Sequence, residues 1–120
     1  MGIMGVLLIA SGMAVSWAAE ATARGKLGMN SFVGIRVGYV THSPEAWLAG
    51  HRAARWPTHT AAGIFAACGI LLLVMDASDA MGAWITIGAS LGVLGTVIAA
   101  AVRASRAAEL VVVQNADRQG

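Results

Sequence analysis

Charge is what this 120-residue chain has least of. It carries 8 Lys+Arg and 6 Asp+Glu, so 12% of its residues are charged, against about 25% in an ordinary soluble domain. Apolar residues make up 58% of the chain, and its mean hydropathy is +0.71. Disorder is excluded, because it requires low hydrophobicity and high charge. An ordinary soluble domain is excluded as well, since so few charged groups cannot clothe so large an apolar core. Cysteine is nearly missing too. The single Cys68 rules out an intramolecular disulfide and a cysteine-based zinc site, and inside an apolar run it behaves as a small hydrophobe. The isoelectric point of 9.3 is no sign of nucleic acid, because the basic residues form no patch. What is left is an integral membrane protein.

The positions of the gaps between charges carry the argument. No charged residue occurs in 1–19, 56–75 or 80–102. A helix rises 1.5 Å per residue, so about 20 apolar residues cross a hydrocarbon core of about 30 Å. Each gap has that length and is rich in Leu, Ile, Val, Ala, Gly and Met. A soluble helix would interrupt such a run with polar residues every three or four positions. The sequence therefore predicts an all-α integral membrane fold in a single domain. Three transmembrane helices are expected at about 2–24, 57–76 and 80–103, with a polar tail over 110–120. Ala21-Thr22-Ala23 looks like a signal-peptide cleavage site, but no basic residues precede the first apolar run, so that run reads as a span.

The basic residues fix the orientation. Arg24, Lys26, Arg36, Arg52 and Arg55 lie between the first two spans, and Arg103, Arg106 and Arg118 follow the third. The connection between spans two and three has only Asp76 and Asp79. With three spans, all eight cations fall on one side, which the positive-inside rule assigns to the cytoplasm. The expected location is the bacterial cytoplasmic (inner) membrane, with the N-terminus and the acidic turn outside and the C-terminus cytoplasmic. An even number of spans would have divided the cations.

The long first loop is the unusual part. Arg24, Gly25 and Lys26 suit the end of the first helix, with Gly25 in the left-handed position. Residues 25–42 read as irregular, yet Phe32, Val33, Ile35, Val37, Tyr39 and Val40 make them too apolar for disorder. The loop should pack on the bundle or dip into the interface. Ser43-Pro44-Glu45 is a helix start: cap, first helical position and first-turn acid. The segment 44–56 mixes Trp47, Leu48 and Trp56 with His51, Arg52 and Arg55, as expected of an interfacial amphipathic helix lying before the second span. Pro57 then bends or restarts the chain. Asp79 reads as the cap of the third helix, and residues from about Asn115 onward as a mobile tail. In the third span, Gly88 and Gly92 form a GxxxG pattern with Gly95 a turn later, a face for close packing on helix one or two or on another subunit.

No catalytic constellation stands out. Ser11, Ser16 and Ser90 lie in spans with no base nearby in sequence, and nothing brings Glu20 and Glu45 together. No phosphate-binding glycine motif is present. His59 is the most membrane-embedded ionisable group. If the second helix ran on through Pro57, Trp47, His51, Arg55 and His59 would share a stripe. His51 and His59 would still stand about 12 Å apart, too far for one metal ion. No metal, no cofactor and no enzymatic activity are expected. Arg36, in the apolar stretch Gly34-Ile35-Arg36-Val37-Gly38, needs a partner, and a carboxylate such as Glu45 or a helix end is the expectation.

The stretch Asn30–Arg55, NSFVGIRVGYVTHSPEAWLAGHRAAR, resembles the SdpI family of small bacterial membrane proteins. The family's pattern is matched by Asn30, Gly34, Ile35, Arg36, Thr41, Ser43, Glu45, Trp47, His51 and Arg52. It departs at Val37, where the family often has Thr, and at Pro44, where Ser or Glu is more usual. The resemblance implies a non-enzymatic membrane protein that binds a protein or peptide partner. Toxin immunity or signalling are the implied roles, and the member that carries immunity has a further N-terminal membrane region. Asn30, Gly34, Arg36, Thr41, Ser43, Glu45, Trp47, His51 and Arg52 are then the candidate partner-binding residues. The alternative is an accessory subunit of a larger bacterial membrane complex, or a homo-oligomer, assembled through Gly88, Gly92 and Gly95. The lipid bilayer is a partner on either reading and nucleic acid on neither. A small proton-coupled transporter would need a carboxylate at the centre of a span, which this sequence lacks.

Overall fold

The computed structural model describes residues 2–75 and 78–119. They form three helices, α1 (Gly2–Ala23), α2 (Pro44–Val74) and α3 (Asp79–Gln119), with a short 3-10 turn at Gly38–Thr41 in the first loop. Each helix is long and apolar enough to cross a membrane. Among the described residues there is no strand, and the architecture is all-α.

The ends follow local chemistry. Past α1, Gly25 takes φ +76°. Its N–H donates to the Thr22 carbonyl at 3.2 Å and the Leu27 N–H to the Ala21 carbonyl at 3.0 Å, which satisfies carbonyls that the helix end leaves open. Ser43 caps α2: its hydroxyl accepts the Ala46 N–H at 3.1 Å, and Pro44 is the first helical residue. α3 is capped one residue earlier than the sequence suggests. Ser78, not Asp79, accepts the Met81 N–H at 3.2 Å on its hydroxyl, and Asp79 is already in the first turn. Asp76, the other half of the expected acidic turn, lies outside the described residues.

Three further expectations are revised. Residues 44–56 are not a separate helix, because α2 continues through Pro57 without interruption. The proline removes one hydrogen bond to the Ala53 carbonyl, and tertiary packing on both sides of α2 holds the helix together. The tail expected from Asn115 is helical as far as Gln119. One turn before it, partly buried Val112 packs against the cluster that holds Val40, Trp47 and Ala108, which anchors this end of α3. Finally, the glycine face of α3 divides: a Cβ at Gly92 would meet Ile64 of α2 at 3.6 Å, whereas one at Gly88 or Gly95 would meet no atom within 4 Å.

α2 is the central helix, with α1 and α3 each packed against it and not against one another among the described residues. The assembly is a rod of 63 × 23 × 20 Å. α1 approaches α2 through glycine. A Cβ on Gly5 would lie 2.9 Å from the Gly69 carbonyl oxygen, and one on Gly12 would lie 2.7 Å from that of Ala62. Backbones this close gain dispersion contact that lipid tails cannot match. α3 packs on α2 through alanines: Ala46 and Ala54 face Ala100, Ala104 and Ala108 in a buried cluster with Val40 and Trp47.

That cluster lies at the basic end of the rod. About 20 residues suffice to cross the hydrocarbon, whereas α2 has 31 and α3 has 41. The surplus is the start of α2, residues 44–56, and the end of α3. These two extensions pair outside the spanning part, and the first loop folds over them.

Candidate functional site

Two arrangements occupy the basic end: a folded loop platform, and a charged cluster between α1 and α2.

The platform is organised by Asn30, whose side chain behaves as a local scaffold. Its Oδ1 accepts the N–H groups of Phe32 at 2.9 Å and Val33 at 2.7 Å. Its Nδ2 donates to the carbonyls of Gly28 at 2.9 Å and Val33 at 3.0 Å. The Arg36 guanidinium donates to the Asn30 backbone carbonyl. Arg36 is therefore paired with neither Glu45 nor a helix end: a backbone oxygen six residues earlier in its own loop takes the role expected of a carboxylate. The loop then docks on α2. Trp47 is 2% exposed, and its Nε1–H donates to the Leu27 carbonyl at 3.1 Å. His51 is 4% exposed; its Nε2 accepts the Ile35 N–H at 2.8 Å, and its Nδ1 donates to the Trp47 carbonyl at 2.8 Å. One nitrogen accepts and the other donates, so the ring is neutral. Burial holds the His51 pKa below the ordinary histidine value, against a smaller opposing effect of the Trp47 carbonyl.

Gly34 completes the joint. It takes φ +120°, and a Cβ there would stand 2.7 Å from the Trp47 ring and 2.8 Å from His51 Nε2. Only glycine meets both conditions. Val40, in the 3-10 turn, is fully buried with Trp47 between α2 and α3. Loop packing on the bundle is thus observed, with Phe32, Val37 and Tyr39 left on the outside.

The charged cluster centres on Glu20. Arg55 grips it with two donors, Nε to Oε1 at 2.6 Å and Nη2 to Oε2 at 3.0 Å. Arg24, one turn along α1, donates to Oε2 at 2.8 Å. His59 Nε2 meets Oε1 at 2.7 Å, and its Nδ1 meets the Ser16 hydroxyl at 2.9 Å. Arg52 closes the end of α1 by donating to the Ala23 carbonyl at 3.3 Å. Every ion pair among the described residues involves Glu20. The line Ser16–His59–Glu20 has the atoms of an acyl-transfer relay but no place for an oxyanion. Ser16 lies inside α1, where the neighbouring backbone N–H groups are spent on helical bonds. Among the described residues no group of three His, Cys, Asp or Glu side chains could hold a metal ion.

The SdpI/YfhL protein family matches residues 26–103 of the chain. The chain belongs to that family. No curated protein and no solved structure matches it. The matched region begins just after α1 and takes in the whole platform loop, α2 and the spanning part of α3.

Within this SdpI-family chain, the motif residues separate into two groups. Asn30, Gly34, Arg36, Ser43, Trp47 and His51 hold one another or cap α2, and Arg52 ties α2 to α1. Glu45 is exposed in the first turn of α2, and Thr41 is half-buried at the end of the 3-10 turn. The motif mostly builds the loop; the exposed surface is supplied by the residues between its members. The Glu20 cluster lies partly outside the matched region, and sequence spacing alone did not reveal it. A signal was present: Glu20 is the only acid before Glu45, four residues from both Ser16 and Arg24, and Arg55 and His59 repeat that spacing on α2.

Proposed function

We propose that this SdpI-family protein is a non-enzymatic membrane protein whose basic-end platform binds a protein or peptide partner, in toxin immunity or signalling. One observation carries the reading. A loop whose backbone is tied at Asn30, Trp47 and His51 holds Phe32, 93% exposed, together with exposed Val37 and Tyr39. Ordering a loop costs conformational entropy, and a loop ordered to display an aromatic ring is a binding surface more than a linker. The distribution of the eight cations supports placing this platform in the cytoplasm of a bacterial cell, beneath its cytoplasmic membrane.

The test is genetic and chemical. Cells lacking the gene should become sensitive to a membrane-active peptide toxin. Wild-type protein should restore resistance and Phe32→Asp should not. Unaltered sensitivity rejects immunity. A photo-reactive residue at position 32 that cross-links to no specific protein in native membranes rejects partner binding at this surface.

A second reading, an accessory subunit of a larger membrane complex, is favoured by the open space at Gly88 and Gly95 on α3. Gentle detergent extraction should then yield a complex with a co-purifying chain, and a stable monomer or homodimer rejects it.

A further inference from the structure

α1 and α2 do not close over their whole contact. On the side that carries Glu20, two neighbouring depressions form a groove that follows α1, walled by α2 in its inner part and joined where His59 meets Glu20 at 2.7 Å. Its inner part is a cavity of about 310 Å³ between Gly12 and Met13 of α1 and Ala62, Gly63 and Ala66 of α2, ending at Ser16 and His59. Its outer part is a cavity of about 300 Å³ beside Trp17, Glu20, Arg24 and Lys26. From Gly12 to Arg24 the groove is about 18 Å long at 1.5 Å per residue, close to the half-thickness of about 15 Å of a bilayer's hydrocarbon.

The chemistry changes along it. The inner walls are apolar and lined with small residues, and the middle is the Ser16–His59 pair. The mouth carries Arg24, Lys26 and Arg55 against the single carboxylate of Glu20. Trp17, 60% exposed, and Trp56, 67% exposed, flank the mouth, and the Arg55 guanidinium stacks over the Trp56 ring at 4.8 Å. Amphipathic aromatic rings favour the membrane–water interface, which places the mouth at headgroup depth and the inner cavity in the hydrocarbon.

We propose that this groove is a binding site for one anionic phospholipid, its phosphate at the Arg24–Lys26–Arg55 mouth and an acyl chain along Gly12, Gly63 and Ala66. Arg24 and Arg55 on one carboxylate, with Lys26 lining the same depression, leave a surplus of positive charge that a zwitterionic lipid does not neutralise and an anionic one does. An apolar channel of one leaflet's depth starts at those charges, where a chain attached to the bound headgroup must run. A basic amphipathic peptide would bring like charge to the mouth. This site is separate from the platform surface of the proposed function, and neither depends on the other.

The test uses the full chain in nanodiscs containing brominated phosphatidylglycerol or brominated phosphatidylcholine. Trp56→Phe and Trp84→Phe are introduced so that Trp17 reports from the mouth, while buried Trp47 lies in the platform. Quenching of Trp17 should show phosphatidylglycerol preferred about 30-fold, given about 1 kcal/mol for each basic residue at the surface and a surplus of two charges. Arg24→Gln with Lys26→Gln should bring the two lipids to near parity. Gly63→Leu should do the same with every mouth charge intact, because its side chain enters open groove space where no atom lies within 4 Å of a Cβ. Circular dichroism should show unchanged helix content in both variants. Equal quenching by the two lipids in the parent protein overturns the proposal. A preference that survives Gly63→Leu also overturns it, leaving only surface attraction. Displacement of the quenching lipid by an acidic amphipathic peptide, with no preference between the two lipids, would assign the groove to a protein segment instead.

Discussion

His51 holds the platform loop through the backbone of Ile35, whose N–H donates to Nε2 at 2.8 Å. The bond exists only while Nε2 carries no proton. His51 is 4% exposed, and burial places its pKa below the ordinary value of 6.5. A histidine whose folded pKa is depressed adds stability that is complete above about pH 6.5 and is lost as pH falls through the lower folded value. Acidification from pH 7 should therefore loosen the loop. Hydrogen exchange at the Ile35 amide is the local readout, and it should accelerate as pH falls below about 6 relative to the intrinsic rate. His51→Phe keeps the ring volume but strands a backbone donor. It should cost about 1–3 kcal/mol and abolish the pH response. A response that persists in His51→Phe would show that another group controls the loop.

Gly34→Ala tests the same joint by shape. The position combines φ +120° with Trp47 and His51 closer than any Cβ tolerates. Backbone strain and overpacking together should destabilise the platform by about 2–4 kcal/mol. Gly28 is a control in the same loop, with φ outside the left-handed region and open space around a Cβ. Gly28→Ala should stay within about 0.5 kcal/mol. Denaturant titration followed by Trp47 fluorescence measures both, and equal effects would remove Gly34 from the joint.

These residues show how far the sequence could be read. The spans were legible because a hydrocarbon core imposes a fixed length without charge, and the caps at Gly25 and Ser43 were legible because they depend on neighbouring residues. The continuity of α2 through Pro57 was not. A proline's local cost is visible in sequence, but the packing of α1 and α3 that offsets it is a tertiary property. The helical end of α3 was missed for a related reason: Val112 packs on a cluster that includes Val40, 72 positions earlier. The motif residues stand out in sequence as a group, but the contacts most of them make were not legible. Asn30 gives no hint of its partners in sequence and Arg36 asks for a carboxylate or a helix end, whereas the partners of both are backbone atoms of their own loop, and no side-chain pattern records backbone geometry. Glu20 was passed over because its partners Arg55 and His59 lie on a different helix.

Glu20→Gln should loosen α1 from α2 far more than Arg24→Gln. The Arg24 pair joins α1 to the residue that follows it, one turn on, with the arginine side chain 58% exposed, and exposed pairs of this kind contribute little. Arg55 and His59 reach Glu20 from the other helix at 2.6 and 2.7 Å, so Glu20→Gln leaves them a neutral amide with one acceptor oxygen in place of a carboxylate that served both. Cysteines placed across the basic end of α1 and α2 should cross-link less efficiently in Glu20→Gln, while Arg24→Gln should match the wild type. Equal behaviour of the two variants would show that glycine packing alone holds the pair. Glu20→Asp should not restore coupling, because the shorter side chain cannot span the same gap.

The glycines divide by what faces them, and that division separates a self-sufficient bundle from a subunit of something larger. Gly12 and Gly69 bring α1 and α2 within backbone contact: a Cβ would lie 2.7 Å from the Ala62 carbonyl at one and 2.6 Å from the Gly5 carbonyl at the other. Replacing either with leucine forces the helices apart, and thermal unfolding in detergent should move down by several degrees, given about 1–3 kcal/mol for overpacking. Gly88 and Gly95 face open space, so Gly88→Leu and Gly95→Leu should leave the isolated chain's melting unchanged. In native membranes the expectation reverses if α3 has a partner. Glycines held on a lipid-facing helix surface admit another backbone, and a leucine there would block it. Loss of a high-mass complex in Gly88→Leu, with melting of the purified chain unaffected, would make α3 the docking helix. An unchanged complex would assign those glycines to lipid and remove the subunit reading's main support.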